Sequence, residues 1–257
     1  MKFSRKAHQC EDAPKSVRTG GKTPSSLFGW IGGLLPEHCV LCGATTRQQP
    51  LCTGCEGDLP RLTNACMRCA EPMPVAGEQL CGRCQRSQPA FNAVYSPFLY
   101  EQPVANLIQR LKFDHKLDLA RALGTLLGNY LSHALHTRPD LIIPVPMHRR
   151  RLGERGFNQA LELSRFVGRQ LGVPVEGGLV YRHKATPPQL GLTMRDRESN
   201  VRNVFRLRGK LPPAASILLL DDVMTTGMTV NSLARELVKH GAAEITVATV
   251  ARAALRR

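Results

Sequence analysis

The chain has 257 residues, 42% of them hydrophobic and 5% aromatic, with 35 Lys and Arg against 20 Asp and Glu for a formal net charge of +15. That length allows one large domain or two ordinary ones with real cores, and the apolar content excludes a disordered chain. The longest apolar stretch, Leu27–Leu35, has nine residues with three glycines, far short of the roughly 20 that a helix needs to cross a bilayer. It carries no cleavage pattern of a secretory signal, so the expectation is a chain neither exported nor membrane-spanning. A positive surplus invites a nucleic-acid reading, but the charge is unevenly placed. Residues 1–35 carry +4, residues 36–90 are neutral, and residues 91–257 carry +11, of which Met147–Arg155 holds +3 and Arg182–Lys210 holds +6. Two short basic windows suit a polyanion site better than a uniformly basic face.

In chain order, residues 1–35 mix Lys, Arg, Ser, Gly and Pro without hydrophobic period and read as a flexible basic tail. Gly20-Gly21-Lys22-Thr23 imitates the end of a P-loop, but Ser16 stands where a Walker A motif needs glycine, and no strand precedes it. Cys10 reads as an unpaired thiol. The other eight cysteines form four CxxC pairs: Cys39/Cys42, Cys52/Cys55, Cys66/Cys69 and Cys81/Cys84. The first two pairs recur as the last two, with Leu51-Cys52-Thr53-Gly54-Cys55 echoed by Leu80-Cys81-Gly82-Arg83-Cys84. Two CxxC turns across a hairpin complete a tetrahedron of thiolates about Zn²⁺. The repeat predicts two zinc ribbons, each closing its own site; the alternative is interleaved pairing, first with third and second with fourth. With four cysteines per site no coordination position is left for substrate, so the zinc is structural. The ribbons then serve as a scaffold that folds around metal or as a docking module for nucleic acid or protein.

From Phe91 the pattern alternates between strand and helix. Val104, Leu107, Ile108 and Leu111 keep helical spacing, and a longer amphipathic helix fits Leu117–Leu135. Asp140–Val145 is a short buried strand, followed by a basic loop over Pro146–Arg155. A helix over Asn158–Leu171, strands over Leu179–His183, Asn203–Leu207 and Ser216–Val223, a helix over Thr226–His240 and a strand over Glu244–Arg252 complete the chain. Unbroken apolar runs such as Ile217–Leu220 indicate strands buried on both faces of a parallel sheet. The expected organisation is a tail over 1–35, a double zinc ribbon over 36–90 and an α/β domain over 91–257.

The chemistry concentrates in Ile217–Thr229. Asp221 and Asp222 follow four apolar strand residues, at the carboxyl end where open α/β sheets bind ligands. Val223, Met224, Thr225, Thr226, Gly227, Met228 and Thr229 then lead into a helix. Such a turn offers backbone N–H groups, hydroxyls and the positive end of a helix dipole to a phosphate, and the aspartates offer acceptors to vicinal sugar hydroxyls. The plainer account is a buried strand with two solvated aspartates before an ordinary capped helix. The segment closely resembles the phosphoribosyl pyrophosphate (PRPP) signature of type I phosphoribosyltransferases. That resemblance implies a parallel sheet flanked by helices, with Asp221 to Thr229 binding PRPP. It also implies that the loop after Asp140–Val145 holds the pyrophosphate through Met147, His148, Arg149, Arg150 and Arg151, guanidinium being well matched to phosphate. Any one of the three arginines can equally be a solvated surface group. A mobile flap would supply Lys184 and Arg195 as pyrophosphate leaves, making them catalytic together with Asp221 and Asp222, and Mg²⁺ would accompany PRPP.

A double zinc ribbon joined to such a domain resembles the ComF family of bacterial competence proteins, with its GntX group. Lys112-Phe113, Pro144–His148, Arg155–Gln159, Thr186–Gln189 and Asn200–Asn203 match that family further. The resemblance implies a cytoplasmic protein of natural transformation and DNA uptake or use, with single-stranded DNA or a DNA-uptake or recombination protein as partner. The acceptor hood would be formed by the ribbons and the Tyr100–Phe113 helix. His148, Asn158 and Gln159 are candidate polar contacts or simply helix caps. Three readings stand: an enzyme transferring phosphoribose to an acceptor, a PRPP sensor without turnover, and a zinc module binding single-stranded DNA.

Overall fold

The computed structural model describes residues 37–47, 49–74, 80–114, 116–183 and 204–255. The basic tail with Cys10 and Gly20–Thr23, and the flap segment with Lys184 and Arg195, lie outside the described residues. In chain order the elements are β1 (Glu37–His38), β2 (Thr45–Thr46), α1 (Thr53–Gly57), α2 (Gly82–Arg86), β3 (Ala93–Tyr95), β4 (Phe98–Leu99), α3 (Val104–Phe113) and α4 (Leu117–Ala134). There follow β5 (Leu141–Pro144), α5 (Arg149–Arg155), α6 (Gln159–Leu171), β6 (Val180–Arg182), β7 (Phe205–Leu207), β8 (Ser216–Met224), α7 (Met228–Lys239) and β9 (Glu244–Arg252).

The main sheet is parallel throughout, in the order β3-β9-β8-β5, with β4 also paired to β9. Its central strands are apolar on both faces, as expected for a sheet covered by helices on both sides. Alternation along β8 sends Ile217 and Leu219 into one core and Leu218 and Leu220 into the other. The first core is closed by Val230, Leu233 and Leu237 of α7, the second by Leu107 and Leu111 of α3, Leu123 and Leu127 of α4, and Leu163 and Val167 of α6. Each fully buried leucine contributes about 1.5–3 kcal/mol. Gly124 lets α4 and α6 come together: a Cβ there would stand 2.7 Å from Cβ of Phe166.

Each core also takes in one cysteine-rich unit. Cys66, Cys69, Cys81 and Cys84 pack with α7 and one sheet face, while Cys39, Leu51 and Leu59 pack with α3 and the other. The residues from Glu37 onward form one contact unit.

One expectation is corrected. The basic stretch Pro146–Arg155 is not all loop, because Arg149–Arg155 forms α5. The ring of His148 accepts from the Arg150 amide, Arg150 pairs with Glu154 one turn on, and Gly156 ends the helix at φ 72°. β8 carries both aspartates, as expected, and ends one residue later than expected, at Met224, where Asp221, Val223 and Met224 stay in register with Thr249, Ala251 and Arg252 of β9.

Candidate functional site

The cysteines close two separate tetrads, Cys39/Cys42/Cys52/Cys55 and Cys66/Cys69/Cys81/Cys84, with the sulfurs of each within 4.8 Å of one another. The interleaved pairing is thereby excluded. Four thiols at this spacing fit one tetrahedral zinc per tetrad and leave no open position, so the two ions are structural. Backbone donors prepare one ligand in each. Burial pushes the Cys39 thiol up, but the N–H groups of Cys42, Cys52 and Leu41 outweigh it and bring it to about 6. In the second tetrad the N–H groups of Cys81, Cys69 and Arg68 overcome burial and bring Cys66 to about 7. The second tetrad is wholly buried, whereas Cys42 of the first is exposed and Cys52 and Cys55 are half-buried.

The second tetrad reaches the other candidate site. Arg83, between two of its cysteines, donates from Nη1 to the Thr226 carbonyl at 2.9 Å. Arg252, fully buried at the end of β9, donates to the Cys69 carbonyl at 3.0 Å and to the Met224 carbonyl at 3.1 Å, and pairs with Glu71 at 2.5 Å. Three donors from two elements therefore hold the turn between β8 and α7 against the cysteine-rich unit.

At that turn Thr225 is exposed, Thr226 through Thr229 are half-buried, and Gly227 sits at φ 76°, a left-handed conformation that favours glycine. The Met224 side chain lies in the core beneath. Asp221 and Asp222 are consecutive strand residues, so their carboxylates leave on opposite faces. Asp222 meets Nζ of Lys112, at the end of α3, at 2.7 Å, with both side chains largely buried. Asp221 lies within electrostatic reach of Arg182. Burial, with the Asp222 carboxylate second, pushes the Asp221 carboxyl up to about 7, against the pull of the Asp222 amide, Lys112 and Arg182.

The β5 end lies beside the β8 end: the Val145 amide donates to the Leu220 carbonyl at 2.8 Å. Asn158 caps α6 through Oδ1 and holds the Val145 carbonyl through Nδ2 at 3.1 Å. Gln159 is buried and accepts from Arg155 at 3.3 Å. Met147 and Arg149 share a cleft of about 470 Å³ with Tyr181, Arg182 and Arg208. Arg150 turns instead to Glu154, its side chain 82% exposed. Arg151 is near enough to Arg182 to push its guanidinium, already lowered by burial, further down. Thus Asp221 to Thr229 and Met147 to Arg149 occupy neighbouring strand ends.

Comparison with known proteins bears on both halves. Residues 30–85 match the double zinc ribbon domain family, and residues 158–257 match the phosphoribosyl transferase domain family. The chain is 34% identical to competence protein F of Haemophilus influenzae over 224 residues, 84% of this chain and 97% of that one. The chain belongs to the ComF family. DNA utilization protein YhgH of Escherichia coli is 34% identical over 83% of this chain and 96% of its own length. ComFC of Bacillus subtilis is 24% identical over 82% and 93%. Among solved structures, adenine phosphoribosyltransferase of Leishmania tarentolae is similar at 14% identity, 56% coverage of this chain, 74% of that chain and a TM-score of 0.36. The fold is that of a phosphoribosyltransferase-like domain carrying a double zinc ribbon. No helix among the described residues is long and apolar enough to cross a membrane.

Sequence reasoning missed three groups of this ComF chain. Lys112 stands out only as part of a family segment, and nothing in its neighbours foretells Asp222. Arg83 and Arg252 carry no local signal, because their partners are far along the chain. Arg182 had a weak one, as the first residue of the second basic window at the end of a strand.

Proposed function

We propose that the joined ends of β5 and β8 bind PRPP, and that the chain acts with it in DNA uptake or use in the cytoplasm. The observation that carries this reading is the pairing of the two loops. The turn before α7 offers N–H groups, three threonine hydroxyls and a left-handed glycine for the 5-phosphate. The neighbouring β5 end is assigned to the pyrophosphate through Met147 to Arg151, of which Arg150 would have to leave Glu154, and the carboxylates are assigned to the ribose hydroxyls. Lys112 fixes the direction of the Asp222 carboxylate through their 2.7 Å ion pair. Asp221 and Asp222 are the oxygen donors at hand for Mg²⁺, which would neutralise pyrophosphate charge. Lys184 and Arg195 are assigned positive charge over the leaving group. The names of the relatives, competence protein F and DNA utilization protein, support the cellular role.

Titration of the zinc-loaded chain with Mg-PRPP tests the site. Asp221→Asn/Asp222→Asn should weaken binding about 100-fold or more, since two charge-assisted hydrogen bonds are lost; equal affinity would sink the reading. Release of labelled pyrophosphate, without and with candidate acceptors, separates transfer from sensing.

Asp221 adds a pH signature. Unfolded it titrates near 3.8, and in the fold near 7, so the native state disfavours its ionised form. Stability of the ligand-free chain should therefore fall as pH rises from about 4 to about 7, and Asp221→Asn should remove that part of the slope in urea unfolding. PRPP affinity should run the other way, rising between about pH 6 and pH 8 as the carboxylate forms.

A second reading, binding of single-stranded DNA, is favoured by the +6 charge of Arg182–Lys210, whose ends form the antiparallel pair β6 and β7. It predicts affinity that falls with salt and survives loss of both aspartates.

A further inference from the structure

A second cleft, of about 530 Å³, lies between the second cysteine unit and the start of α7, apart from the β5 end. Its ionisable lining is three arginines and, on the ribbon side, the thiols of Cys69 and Cys84. Arg83, Arg86 and Arg235 bring three guanidinium groups to it, and no Asp or Glu is among the described residues around it. Two of its acceptors are already taken: the Thr226 carbonyl by Arg83, and Oδ1 of Asn231 by the Ala90 amide at 2.8 Å. Because that backbone amide can only donate, Oδ1 must face it, and the Asn231 amide nitrogen is left as a further donor. Pro89, Met228 and Leu255 give the cleft an apolar wall, each half-buried.

We propose that this cleft binds a nucleoside 5′-monophosphate. Guanidinium groups match phosphate oxygens in bidentate geometry, and the volume is that of a small-ligand site, within the usual range of about 300–1,000 Å³. An inorganic anion would use the arginines and leave the apolar wall wet; a nucleoside without phosphate would leave Arg86 and Arg235 unused, Arg83 already lying against the Cys69 sulfur and the Thr226 carbonyl. A ring on a phosphate satisfies both. The site shares Thr226 and Gly227 with the turn assigned to PRPP, yet the Arg86 and Arg235 side chains belong to this cleft alone. The proposal does not depend on PRPP binding, and it seats the nucleotide on the Arg86 and Arg235 side, leaving the Thr226–Gly227 backbone to PRPP.

The test is calorimetric titration of the zinc-loaded full chain with AMP, GMP, CMP and UMP, with adenosine and inorganic phosphate as controls. At least one nucleotide should bind one site per chain more tightly than either control. Arg86→Ala/Arg235→Ala, both exposed positions, should weaken that binding at least about tenfold, while zinc content, circular dichroism and Mg-PRPP titration stay as in the unaltered chain. The nucleotide should still bind to protein saturated with PRPP and to Asp221→Asn/Asp222→Asn. The proposal is overturned if no nucleotide exceeds the controls, if the double arginine variant binds equally well, or if PRPP displaces the nucleotide. Nucleotide binding without any PRPP binding would uphold this cleft and refute the PRPP reading instead.

Discussion

The two zinc ribbons share a sequence pattern but are attached to the molecule in different ways. The first meets its sheet face through apolar side chains, Leu51 and Leu59 against the α3 core, and its one described ion pair to α4, Glu37 with Arg121, is solvent-exposed. The second is inside the other core and is also tied by directional bonds, from Arg83 and Arg252, to the turn between β8 and α7. Apolar contact tolerates small shifts, whereas a buried guanidinium bonded to the Cys69, Met224 and Ala253 carbonyls does not. The repeat therefore made two copies of one metal scaffold, of which one became part of the sheet-end architecture and the other a cover for a helix.

Removing metal from each ribbon is the strongest way to break that contrast. Cys84→Ser should reduce bound zinc toward one per chain and cost at least about 4 kcal/mol in urea unfolding, because a buried tetrad loses metal inside the core. Cys42→Ser should lose the other zinc at clearly smaller cost, and equal losses would mean the ribbons are equivalent. Arg252→Met takes the guanidinium from Glu71 and frees three carbonyls, for about 3–5 kcal/mol by the same measurement. Leu59→Ala probes the apolar attachment of the first ribbon and should cost about 2–4 kcal/mol. Arg121→Ala should change stability by about 0.5 kcal/mol or less, since the pair with Glu37 is exposed and screened.

Periodicity made the helices and the inner strands readable. Leu117–Ala134 and Glu244–Arg252 follow their apolar patterns almost to the residue, and the CxxC repeat foretold which cysteines share a metal. Local composition misled where capping decides. Arg149–Arg155 looks like a solvated loop, yet His148 and Gly156 bound it as a helix. At the sheet end the residue types of the PRPP signature were legible, but the Lys112–Asp222 pair and the Arg83 and Arg252 anchors join distant parts of the chain and follow no period.

The strand order has a consequence for how the chain comes together. β9 is flanked by β3 and β4 on one side and β8 on the other, yet it follows all three in sequence. During synthesis β3 and β4 have no neighbour in the sheet until β9 emerges, and neither core can close before then. Long-range closure of this kind slows folding and exposes unpaired strand edges in the meantime. Arg252, the closing residue of β9, also bonds the Cys69 carbonyl, so the second ribbon reaches its final setting only when this central strand slides into place.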